Sequence, residues 1–143
     1  MTQRFREKPV LRVISKMLVA PIMVFALYVQ FHGDFGPGGG FQAGVIFASA
    51  FIIYALIYGN KEARQVAPPV VTRWCLMIGP LIYAGTGVAG LLKGGNFLNY
   101  SVLFADDKVG QHVGIMVIEW GVGMTVAAAM ITIFYTFAAY RRG

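Results

Sequence analysis

Four stretches of this chain, residues 10–31, 41–58, 71–92 and 112–137, run for 18 to 26 residues with only Arg12, Lys16, Arg73 and Glu119 charged among them. That pattern fixes the solvent the fold must satisfy. A helix needs about 20 apolar residues to cross the ~30 Å hydrocarbon layer. Inside that layer every backbone N–H and C=O must find a partner within the protein, which leaves helices and closed barrels. Barrel strands alternate apolar and polar residues over segments of about ten, and no segment here alternates in that way. The expectation is therefore an all-α, integral membrane bundle of four transmembrane helices, a single membrane domain over residues 1–143. A mean hydropathy of +0.66 and a charged fraction of only 13% agree with it. Basic residues precede the first span as they precede a signal peptide, but the span is longer than a signal core and no small-residue cleavage site follows it, so it reads as a mature helix.

The formal net charge of +6 raises nucleic acid as a partner, yet the basic residues cluster just outside the spans and form no continuous stripe. Their asymmetry is topological. Ten of the twelve Lys and Arg fall at the two termini, at the start of the first span and in the second connection; the connections at 32–40 and 93–111 hold only Lys93 and Lys108. The positive-inside rule then puts both termini in the cytoplasm and makes 32–40 and 93–111 the outer loops. His32, Asp34, Asp106, Asp107 and His112 share that outer side.

The outer loop and its flanks read His32-Gly33-Asp34-Phe35-Gly36-Pro37-Gly38-Gly39-Gly40-Phe41-Gln42-Ala43-Gly44. Pro37 fixes its own φ and biases the residue before it towards extended geometry, while the three glycines after it permit positive φ or very close backbone approach. The loop has a built shape, and His32, Asp34, Pro37, Gly38, Gly39, Gly40 and Phe41 are its candidate contact residues. A phosphate cradle is excluded by the missing Gly-Lys-Ser/Thr. Cys75 is the only cysteine, so no intrachain disulfide or cysteine metal site can form. No nucleophilic constellation of Ser, His and Asp is present. Neither an enzyme nor a cofactor or metal site is expected.

Spacings of small residues four apart, Gly44 with Ala48, Gly85 with Ala89, Gly110 with Gly114 and Gly123 with Ala127, allow close helix approach. The run from Gly85 to Gly90 is expected to pack against another helix. Pro21 and Pro80 fall inside spans and are expected to kink them or shape them locally.

Glu119 is the sharpest single residue, about two turns inside the fourth apolar stretch. An ionised group at the centre of a membrane helix costs at least about 2.5–3.5 kcal/mol, so it faces a bundle interior, a partner or water. Helical spacing puts His112 on the same face, seven residues or about 10 Å away along the axis. Two readings stand: Glu119 relays a proton or cation, or it is a structural acid satisfied across a helix interface. His112 and Lys16 complete the ion-path candidates, Lys16 as a buried counter-charge or as a snorkelling end group.

The four-span layout and two motifs resemble the MnhB family, small membrane subunits of Mrp-type multisubunit Na+/H+ antiporters. The motifs are Gly36-Pro37-Gly38-Gly39-Gly40-Phe41-Gln42-Ala43-Gly44 and Ile118-Glu119-Trp120-Gly121-Val122. Where many members have Gly-His before the proline, this chain has His32-Gly33-Asp34. The resemblance implies a multi-pass accessory subunit in a prokaryotic inner membrane, among other hydrophobic subunits and lipid, in a complex that exchanges Na+ for H+. In that complex it would help form or support the ion route; the alternatives are a purely structural subunit, or the equivalent subunit of a hydrogenase-like or other respiratory membrane complex.

Overall fold

The computed structural model describes residues 9–33 and 38–140. Asp34, Pro37 and the basic residues at positions 4, 6, 8, 141 and 142 lie outside the described residues. Four long helices are present: α1 (Pro9–Phe31), α2 (Gly40–Tyr58), α4 (Pro69–Leu92) and α5 (Asp107–Tyr140), with a short α3 (Asn60–Val66) between α2 and α4. All four long helices are long and apolar enough to cross a membrane. α1 and α4 run unbroken through Pro21 and Pro80.

The helices pack in the order α1, α2, α5, α4, with α5 in contact with both neighbours and α1 leaning on α2. Glycine makes these seams close. A Cβ on Gly44 of α2 would lie 2.6 Å from the carbonyl oxygen of Gly123 and 2.9 Å from the Val126 Cβ. On the other side of α5, a Cβ on Gly121 would lie 2.9 Å from the Gly79 carbonyl oxygen, and one on Gly79 would overlap the Thr125 hydroxyl. These distances are well inside van der Waals contact, so the seams exist because the side chains are absent.

At the end of the bundle that carries Arg12 and Arg64, α2, α3 and α5 are knotted together. Gly59, at φ +104°, turns the chain sharply from α2 into α3 and donates its N–H to the Ala55 carbonyl. Phe51, Ala55, Ala63, Ile131 and Tyr135 form a buried cluster there. Tyr135 donates its hydroxyl to the Ala67 carbonyl at 2.9 Å, and the Arg64 guanidinium lies 5.0 Å from the centre of its ring.

The opposite end departs from expectation in two ways. First, α5 begins at Asp107, five residues before the expected span; its 34 residues make a rod of about 51 Å. Asp106 caps it, accepting the Lys108 N–H at 2.9 Å, and Asp107 occupies the first turn, where the helix dipole favours negative charge. Second, the glycines of the run from Gly85 to Gly90 do not seat a neighbouring helix. Gly85 faces open space, Gly87 lies against the Phe97 ring and Gly90 against the backbone of Asn96 and Asn99. Likewise Gly110 and Gly114 make room for Tyr100, which begins a 3-10 turn (Tyr100–Leu103). The small residues here admit their own connecting loop, which is pinned further by Lys93 Nζ to the Leu103 carbonyl at 2.5 Å and Gln111 Nε2 to Ser101 Oγ at 2.8 Å.

Candidate functional site

The two motifs that stand far apart in sequence meet in space. The facing ends of α1 and α2, at Gly33 and at Gly39 and Gly40, close on Glu119. A Cβ on Gly33 would collide with both Glu119 carboxylate oxygens, one on Gly39 would lie 3.1 Å from Oε1, and one on Gly40 would overlap the Glu119 carbonyl oxygen. Three glycines thus form a cradle around one half-buried acid.

Local chemistry explains how the cradle is held. Gly39 stands at φ +128°, ψ 176°, a conformation strained for any residue with a Cβ. From there its N–H reaches the Val29 carbonyl at 3.4 Å and ties the start of α2 to the last turn of α1. Gly38 fits beneath because a Cβ would approach that same carbonyl oxygen at 2.9 Å. Trp120 packs edge-on against Phe31, with ring centres 5.7 Å apart, which fixes α5 in register with the end of α1.

The other candidates are distributed around this centre. The exposed His32 ring stacks on Tyr28 at 4.0 Å, with Nδ1 3.2 Å from the Tyr28 carbonyl oxygen, so it is held back along α1. Phe41 points outwards, 60% exposed, just beyond the cradle. His112 is exposed two turns nearer the start of α5 than Glu119, about 10 Å along the axis. Lys16 lies fifteen residues, about 22 Å, from the Phe31 end of α1, which removes it as a counter-charge to Glu119. The glycines flanking the first connection meet α5 at Glu119, twelve residues, about 18 Å, below its start at Asp107. Among the described residues no group of His, Cys, Asp and Glu is placed to hold a metal ion.

Two residues of this region escaped sequence reasoning. Gly33 completes the cradle, and its signal was its place in the hairpin motif. Gln30 presses its side-chain oxygen against Gly123 and is 7% exposed; as the only amide in the first span it was visible but unweighted.

A multi-pass helical membrane protein in which a half-buried acid is clasped by a glycine hairpin is the class this geometry defines. Residues 10–132 match the family model described as "Domain related to MnhB subunit of Na+/H+ antiporter". The chain belongs to the MnhB family, and with it to the accessory membrane subunits of Na+/H+ antiporter complexes. Among its relatives are proteins named "Putative antiporter subunit mnhB2" from Staphylococcus aureus strains Newman, JH1 and USA300. Each is 33% identical over 135 residues, covering 92% of this chain and 95% of the relative.

Proposed function

We propose that this subunit contributes Glu119 to the route by which the assembled antiporter exchanges Na+ for H+, with the glycine cradle as the device that positions it. The observation that carries this reading is the cradle itself. Glycines at 33 and 39 present no aliphatic side chain to the carboxylate, and Gly40 lets the start of α2 pack on the Glu119 backbone beneath it. Peptide dipoles are the surroundings in which an acid at the edge of an apolar layer can exchange a proton or meet a desolvated cation. His112, on the same helix and nearer its exposed start, supplies a second protonatable group between the loop end and Glu119. The complex lies in a prokaryotic inner membrane with the Arg-rich end of this chain in the cytoplasm; ten of its twelve Lys and Arg support that orientation.

The competing structural reading has its own support, since the Glu119 backbone is itself the floor on which Gly40 packs. Glu119→Gln separates the two. It keeps size and shape while abolishing ionisation. Na+-dependent proton movement in everted vesicles is measured beside a native-gel assay of assembly. Loss of exchange in an intact complex is the expected result; unchanged exchange would refute the role in the route.

A further inference from the structure

On one face of the α2–α5 pair, α1 and α4 stand apart and leave a cleft of about 310 Å³. Its floor is Gly44 of α2 with Gly123 and Ala127 of α5; Cys75 of α4 forms part of one wall. Along α5 it runs from Trp120 to Ile131, eleven residues or about 16 Å. Gln30 lines its hairpin end, is 7% exposed, and its Nε2 has no hydrogen-bond partner among the described residues. Native proteins seldom leave a buried amide donor unsatisfied, so the cleft calls for an occupant that brings an acceptor to that end and only apolar surface to the rest.

We propose that the occupant is one phospholipid acyl chain, its ester carbonyl accepting from Gln30 Nε2. Dimensions select it. The volume spread over about 16 Å gives a mean cross-section of about 19 Å², enough for a single extended hydrocarbon chain to enter, whereas a helix 10–12 Å across, about 80–110 Å² in section, could only rest on the mouth of the cleft. The length matches one leaflet, half of the ~30 Å hydrocarbon layer. Position agrees as well: Gln30 is the penultimate residue of α1, where that helix leaves its apolar run. Water alone fits poorly, because a buried water needs two to four polar partners and Gln30 and Thr72 are the only polar uncharged side chains besides Cys75 and Trp120 in an otherwise apolar lining.

The test uses the whole purified antiporter complex, reconstituted with phosphatidylethanolamine carrying a diazirine midway along one acyl chain. After illumination, adducts are mapped by peptide mass spectrometry. Adducts on Cys75, Met124 and Ile131 are expected to exceed those on the outward-facing Leu81 and Val88 several-fold. Ala127→Phe, which fills the floor, should abolish the excess. Gln30→Leu should weaken retention about five-fold, the weight of one neutral hydrogen bond. Adducts spread evenly over cleft and outer faces would overturn the proposal. So would a bifunctional crosslinker that joins Cys75 to a helix of another subunit, which would make the occupant protein. If Ala127→Phe fails to assemble, the unmodified complex and Gln30→Leu decide between these outcomes.

Discussion

Gly40→Ala puts the smallest side chain where the cradle has no space. The added Cβ would overlap the Glu119 carbonyl oxygen and lie 2.8 Å from the carbonyl carbon and 3.0 Å from the Cα. Carbon atoms rest at about 3.5–4.0 Å, so α2 and α5 must part by about 1 Å at this point. The neighbouring atoms are backbone held in a helix, and no rotamer change relieves the contact. Nor does the strain stay local, because Gly44 on Gly123 is the next contact along the same seam. Overpacking of this kind costs about 1–3 kcal/mol. The gain in helix propensity from Gly to Ala recovers up to about 1 kcal/mol of that. Gly85→Ala is the matched control, since Gly85 is helical and meets nothing within 4 Å; it carries the propensity gain alone. Thermal stability of the detergent-purified complex, read beside vesicle exchange, should place Gly40→Ala below the parent and Gly85→Ala at or above it. Exchange should fall in Gly40→Ala by more than the loss of assembled complex explains, since a shift of about 1 Å at a reacting group can cost as much as 100-fold in rate. Equal behaviour of the two variants would refute the cradle as a steric device.

The remaining predictions concern the seams and the loop. Gly79→Ala drives a Cβ into the Thr125 hydroxyl and to 2.6 Å from the Gly121 carbonyl oxygen, so it should lower stability by about 1–3 kcal/mol in the same thermal assay. Adding Thr125→Ala removes the hydroxyl and should recover part of that loss. Tyr135→Phe loses the hydrogen bond to the Ala67 carbonyl but keeps the ring beneath Arg64; a decrease of about 0.5–1.5 kcal/mol is expected, and no change would show that the bond does not tie α5 to the connection. Burial in the loop, with a smaller contribution from Tyr83, raises the Tyr100 phenol above its ordinary value of 10.0. The folded state therefore favours the neutral phenol, so the loop's stability is whole below pH 10 and declines as pH rises through the raised value. Limited proteolysis of the 93–106 loop across that range should show it, and Tyr100→Phe should remove the pH dependence.

Much of this fold is legible along the chain because a bilayer is a strict solvent. Length and hydropathy suffice to count four spanning helices, since no other arrangement of such segments satisfies its backbone in hydrocarbon. The motif residues Gly39, Gly40 and Glu119 were also legible, each unusual for its place. Their meeting was not. A glycine run says that something comes close without saying what, and the partner lies some eighty residues away on a helix whose register is set by Trp120 on Phe31 and Gly44 on Gly123. The same ambiguity misled the reading of Gly85 to Gly90: small residues that invite a helix in fact admit Phe97 and the loop. Lys16, open on sequence to a counter-charge or a snorkelling role, is kept from the Glu119 end by about 22 Å of helix. What the sequence by itself determined is the solvent, the class and the one acid worth watching, because those follow from composition over windows of about twenty residues. Only the tertiary structure decided that the acid and the hairpin form one site and that a cleft with an unsatisfied amide lies beside it. Close packing is a property of which faces meet, and the side chains that would reveal those faces are the ones glycine lacks.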